Sequence, residues 1–202
     1  MLLYGASGHA KVICSALESS LIPVKGIFDD NELIVSLNEY KVLGCYQPEF
    51  FSDDLLIISI GDNRVRKKIV GKVSHQFGKC VAVTAIYDRL VKIGDGTVIL
   101  HNAVIQRDTI ISKHCIVNTS ASIDHDCIIE DYVHIAPMAT LCGNVRIGEG
   151  THIGAGVTVI QNVKIGKWCV IGSGAVIIND IPDYSLVVGV PGRIKNKLNC
   201  DE

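Results

Sequence analysis

The residues of this 202-residue sequence best suited to chemistry are histidines set among carboxylates and glycines. Seven histidines occur, at positions 9, 75, 101, 114, 125, 134 and 152, and His125 stands apart because Asp124 and Asp126 flank it. An imidazole titrates near neutral pH, so it can take a proton from an attacking amine or hydroxyl. A neighbouring carboxylate fixes its tautomer and stabilises the imidazolium that forms. A second group lies near the start of the chain. Gly5-Ala6-Ser7-Gly8-His9-Ala10-Lys11 follows a short apolar run, Asp29-Asp30 follows a second, and Gly61-Asp62-Asn63 follows a third. Glycine turns at the carboxyl ends of parallel strands present free N–H groups at a helix start, and these attract phosphate. The full G-x-G-x-x-G fingerprint is absent, so a plain strand-to-helix turn stays open as a reading of the loop.

The elements that must hold these groups are announced by a repeat. From Ile93 every sixth residue is aliphatic, through Ile99, Ile105, Ile111, Val117, Ile123, Ile129, Ile135, Leu141, Ile147, Ile153, Val159, Ile165 and Ile171 to Ile177. A helix needs spacings of three and four, and an ordinary strand alternates by two, so neither explains a period of six. Four residues after each aliphatic stands a compact one, such as Thr97, Ala103, Cys115, Ala121 or Val157. This pattern predicts a left-handed parallel β-helix of triangular coils, 18 residues each, roughly five of them stacked at about 4.8 Å. Glycines after the aliphatic position (Gly94, Gly148, Gly154, Gly166, Gly172) are expected to serve the bends. Upstream, strands alternating with helices imply a small parallel sheet. The expected fold is therefore a small Rossmann-like α/β domain over residues 1–82, followed by a β-helix domain with a C-terminal tail over 83–202. His134 and His152, one coil apart, should stack, and His125 lies off the inward columns. Gly154-Ala155-Gly156 and Gly172-Ser173-Gly174 keep the surface low enough for a slender ligand to lie against backbone. With no loop interrupting the ladder, a site must sit on its faces or between subunits, and such coils favour trimers.

Nineteen basic against 21 acidic side chains give a formal charge of −2 and no reason to expect nucleic acid or an anionic membrane as partner. No stretch approaches the ~20 apolar residues of a membrane helix, and Met-Leu-Leu-Tyr-Gly does not resemble a secretory signal. Eight scattered cysteines without a C-x-x-C pair are expected to be free thiols in a reducing cytoplasm. Some hexapeptide β-helices carry zinc on three histidines that meet across a trimer interface, and His125, His134 and His152 offer such a set. The Asp flanks of His125 and the N-terminal sheet have no purpose there, so no metal is expected.

Gly5-Ala6-Ser7-Gly8-His9-Ala10-Lys11, Gly26-Ile27-Phe28-Asp29-Asp30, Ile60-Gly61-Asp62-Asn63, Ile123-Asp124-His125-Asp126-Cys127, His134, Gly143-Asn144-Val145 and Val187-Val188-Gly189-Val190-Pro191-Gly192 fall in the order of one family. The sequence resembles, over nearly its whole length, the sugar O/N-acyltransferases. That group includes nucleotide-aminosugar N-acetyltransferases of the bacillosamine pathway and sialic acid O-acetyltransferases. The resemblance implies acetyl-CoA-dependent N-acetylation of a nucleotide-activated amino sugar, a UDP-4-amino-sugar first, with O-acetylation of a sialic-acid-like sugar as the alternative. UDP, GDP and dTDP stand as alternatives for the nucleotide. It further implies His125 as general base oriented by Asp126, His134 beside the acetyl group, and the Gly143 N–H facing the thioester oxygen. Ala155, Gly172 and Ser173 would line acetyl-CoA between subunits of a homotrimer. Asp29 and Asp30 would lie near the base, Ser7, Gly8, His9 and Lys11 near ribose and phosphates, and Asn63 and Asn118 beside the sugar nucleotide.

Overall fold

The computed structural model describes residues 1–199. Cys200, one of the expected free thiols, lies outside the described residues; the other seven cysteines carry free thiols. Three short apolar strands, β1 (Leu2–Tyr4), β2 (Gly26–Phe28) and β5 (Leu56–Ile58), form a parallel sheet in the order β2-β1-β5. Between them run α1 (Gly8–Ser19) and a small hairpin, β3 (Ser36–Leu37) with β4 (Tyr40–Lys41); α2 (Asn63–Val70) follows β5. All nine sheet residues are buried, as parallel strands covered on both faces must be. Gly5 leaves β1 with φ +112°, and a Cβ there would sit 2.6 Å from Ile60 Cγ1, so only glycine lets the chain turn this close to the end of β5.

The rest is a left-handed parallel β-helix, the fold the repeat predicts, with two-residue strands on three faces. The first face stacks Cys80–Val81, Val98–Ile99, Ile116–Val117, His134–Ile135, His152–Ile153 and Val170–Ile171; the second runs from Ile86–Tyr87 to Val176–Ile177, and the third from Lys92–Ile93 to Lys164–Ile165. The large and compact columns meet inside as one core. Coiling begins before Ile93, at Cys80–Val81. Tyr87 occupies the aliphatic position there and is 47 % exposed, so the period becomes visible in sequence only after it. At the far end Ser185–Val188 extends the first face, closed by antiparallel Arg193–Lys197.

The bends are not made by the glycines expected to make them. Left-handed φ falls two residues later, on Asn102, Asp108, His114, Ser120, Asp126, Tyr132, Met138 and Asn144. Gly148 and its equivalents answer a different demand: a Cβ on Gly148 would lie 2.6 Å from the backbone of Gly166 on the next coil. The buried threonines also have a task the column pattern does not show. Thr97, Thr109 and Thr151 accept the N–H of Cys115, Cys127 and Cys169 one coil on, at 2.9–3.1 Å. Burial pushes the Cys115 thiol up to about 12 and the Cys127 thiol to about 11, which suits packing residues.

The N-terminal unit covers the first face. Ile13, Ala16 and Leu17 of α1 share a core with Cys80, Val98 and Ile116, the outward residues of its first three strands. Past Ile116 the outward positions on that face are His134 and His152, where the chain above is the loop leading into α2.

Candidate active site

The edge between the second and third faces carries His125. Asp126, at φ +59°, turns its carboxylate back so that Oδ2 lies 2.7 Å from His125 Nδ1, while Asp124 Oδ1 accepts the His125 N–H at 2.8 Å. Nε2 is left free. The ring is exposed, and the Asp126 hydrogen bond first, then the Asp124 charge, raise its pKa above the ordinary histidine value. On the next coil Gly143 lies directly under the ring: a Cβ there would be 2.7 Å from His125 Cε1 and 2.8 Å from Nε2. Glycine is needed here for this approach, and the Gly143 N–H has no acceptor among the described residues. His125 and Asp126 are thus exposed at this edge, with Gly143 buried beneath the ring, and the three form one cluster.

The first face holds a second cluster in the opposite condition. His134 is half-buried between the β-helix and the N-terminal unit. Asn118 Oδ1 accepts the Thr119 N–H at 2.8 Å, so its amide nitrogen, 3.1 Å from His134 Nε2, is the donor of that pair. The ring proton then sits on Nδ1, which approaches the Gly61 carbonyl without a hydrogen bond of good geometry. Burial, with His152 and Arg66 adding positive charge, drives the His134 pKa down to about 3. His152 packs edge-on at 4.9 Å between centroids, and His9, in the first turn of α1, lies 6.2 Å away with its Nε2 unpartnered. Burial lowers His9 to about 4. His134 and His152 border a cavity of about 490 Å³ with Gly61, Asn63, Gly150 and Trp168.

The glycine loop is held from below. Asp29 Oδ2 accepts the Ala6 N–H at 2.6 Å and Oδ1 the Asn31 N–H at 2.8 Å, while Asp30 accepts the Tyr4 hydroxyl at 2.6 Å. Ser7 is the N-cap of α1 but makes no side-chain capping bond, so its hydroxyl is uncommitted; Gly8 and Lys11 are exposed beside it. Asn63 is buried, its amide donating to the Gly150 carbonyl at 3.0 Å and its oxygen accepting from Arg66 at 2.7 Å. Ala155 and Ser173 stack one coil apart on the edge between the first and second faces, where the Gly174 N–H donates to the Ala155 carbonyl, with Gly172 alongside. Within one chain, then, the His125 edge and the His134 cleft lie on different sides of the prism.

The sequence pattern gives Arg66 no role, and it leaves His9 and His134 unconnected. Their meeting depends on how α1 and α2 pack on the coils, and no period records that. Among the described residues no three of His, Cys, Asp or Glu converge as metal ligands, and no helix is long and apolar enough to cross a membrane.

Residues 1–73 match the PglD N-terminal domain family, and residues 144–179 match the bacterial transferase hexapeptide family of six repeats. The structure superposes on PerB from Caulobacter crescentus, solved with CoA and GDP-perosamine, at a TM-score of 0.92 and 31 % identity, covering 96 % of both chains. It also superposes on the acetyltransferase domain of PglB from Neisseria gonorrhoeae with acetyl coenzyme A, at 0.88 and 32 %, covering 96 % of this chain and 97 % of that one. An uncharacterised protein of Acanthamoeba polyphaga mimivirus is 33 % identical over 119 residues, a match spanning 55 % of this chain but only 23 % of that curated relative. A PglD-type first unit, hexapeptide coils and whole-chain likeness to solved acetyltransferases agree with one another: the chain belongs to the left-handed β-helix sugar acyltransferases and is an acyltransferase.

Proposed function

We propose that this chain moves the acetyl group of acetyl-CoA onto the amino group of a nucleotide-linked amino sugar, within a homotrimer, with His125 as general base. The observation that carries the reading is the His125–Asp126 pair seated on bare Gly143, with Nε2 free. The amine nitrogen attacks the thioester carbon, and the carbon–nitrogen bond forms as His125 Nε2 takes the amine proton. The carbon–sulfur bond then breaks, the sulfur leaving with the electron pair and receiving that proton from the imidazolium. A free thiol ionises near pH 8.5, so this departure needs little help. The unpaired Gly143 N–H faces the thioester oxygen, where one fixed donor is worth about 3 kcal/mol.

The nucleotide-sugar unit comprises the chain before Cys80, slightly short of the expected 1–82, and the acyl-transfer unit the coils from Cys80–Val81 onward. Ser7, Gly8, His9 and Lys11 meet ribose and phosphates at the start of α1, with Asp29 and Asp30 toward the base. Asn63, Asn118 and His134 border the sugar and acetyl end, and Ala155, Gly172 and Ser173 lie along acetyl-CoA. The separation of the His125 edge from the His134 cleft supports a site built from two subunits. So does the second face, whose outward residues from Ile86 through Val104, Ser122, Thr140 and Thr158 to Val176 carry no charge, unlike the third with Lys92, Arg146 and Lys164. Seven free thiols suit the cytoplasm, where acetyl-CoA is made. The likeness to PerB, solved with CoA and GDP-perosamine, supports an amino-sugar acceptor.

The test is CoA release from acetyl-CoA with UDP-, GDP- and dTDP-linked 4-amino sugars and with free sialic acids. Turnover with one nucleotide amino sugar, giving an acetamido product by mass spectrometry, is the expected result. Turnover with a hydroxyl acceptor alone would replace the amine in this reading.

A further inference from the structure

The edge between the third and first faces shows how the two units are joined. At three successive coils the residue with left-handed φ is His114, Tyr132 and Gly150 (55°, 61° and 68°). Side chains of α2 meet all three carbonyls. Arg66 Nε donates to His114 O at 2.9 Å, Arg66 Nη2 to Tyr132 O at 2.7 Å, and Asn63 Nδ2 to Gly150 O at 3.0 Å. On the fourth coil Arg64 and Lys67 lie over Trp168, 5.0 and 5.2 Å from its ring centre, and Lys67 pairs with Glu149.

Arg66 reaches the other way as well. Its Nη1 donates to the carbonyls of Ile60 (3.0 Å) and Gly61 (3.2 Å), and its Nη2 to Asn63 Oδ1 (2.7 Å). The side chain is 1 % exposed, and no carboxylate pairs with it among the described residues. A buried cation without a counter-ion is costly unless its donors are fully used, and here each guanidinium nitrogen has an acceptor. Lysine has one nitrogen and cannot span two coils and a loop at once.

The bonds run to the places where the cleft is shaped. Ile60 packs against Gly5, at the base of the loop that carries Ser7 and leads into α1 with His9 in its first turn, and Gly61 borders the cavity beside His134. We infer that Arg66, supported by Asn63, is a positioning residue that holds the glycine loop in register with His134, so that acceptor binding depends on it and acetyl-CoA binding does not. This rests on the proposed nucleotide-sugar reading for its substrate.

The experiment compares the full chain with Arg66→Lys and Asn63→Ala, measuring kcat, both KM values and thermal unfolding. Arg66→Lys should raise KM for the nucleotide sugar at least tenfold and leave KM for acetyl-CoA within twofold; Asn63→Ala should raise the former about threefold. Equal rises in both KM values, or no rise in either, would overturn the inference. Should wild-type protein turn over no nucleotide sugar, the functional reading fails, and amide exchange decides the joint separately. Arg66→Lys should then speed exchange over residues 5–11 and 60–63 while residues 116–117 and 134–135 stay protected. Unchanged exchange in the loops would sink the positioning role.

Discussion

His125 and His134 stand on neighbouring coils of one β-helix and are held in opposite states. His125 is exposed on an edge, tied to Asp126, and its pKa is raised. His134 is half-buried on a face, accepts a hydrogen bond from Asn118, and its pKa falls to about 3. A raised pKa beside a carboxylate makes a base able to take a proton and release it. A strongly lowered one makes a fixed neutral ring that offers shape and a single N–H. Environment, more than residue type, divides the labour, and the two halves lie on different sides of one prism.

The sharpest way to break this contrast is to remove the exposed ring. His125→Ala should lower kcat by about 10²- to 10⁴-fold, the usual worth of a positioned general base, with thermal unfolding almost unmoved because the ring packs little. A variant retaining more than a tenth of the wild-type rate of CoA release would end the base assignment. Asp126→Asn should act less, on the order of tenfold in kcat, and with a direction. Asp126 raises the His125 pKa, so its loss lets the imidazole shed its proton at lower pH, and the acid limb of kcat/KM shifts downward. A limb that stays in place would mean another group sets it.

The two halves were not equally legible in the sequence. Ile93 to Ile177 repeat one requirement fifteen times, so the β-helix could be read from residue type alone, and His125 stood out against that regular ground with its flanking Asp124 and Asp126. The buried half depends on docking. That His9 faces His134 follows from Ile13 and Leu17 of α1 packing on Val98 and Ile116, and from Arg66 reaching the His114 and Tyr132 carbonyls. Each is a contact across many residues between segments of different period, and nothing local encodes it. The carboxylate of Asp29 likewise has a second task that its place at a strand end does not reveal: it accepts the N–H groups of Ala6 and Asn31 and so holds the glycine loop.

The buried half can be tested through stability. Folded His134 binds a proton only near pH 3, while in the unfolded chain a histidine does so near 6.5. Between those values the unfolded state holds more protons, so stability falls as pH drops below 6.5, by about 2 kcal/mol at pH 5 for one such group. His9 and His114, each lowered to about 4 by burial, add to the same slope. In His134→Gln an amide oxygen can take the Asn118 hydrogen bond without titrating. Urea unfolding at pH 7 and pH 5 should therefore show the variant losing about 2 kcal/mol less than wild type across that interval. Equal losses would show that His134 protonates freely in the folded protein, and the two histidines would no longer differ in the way the cleft and the edge demand.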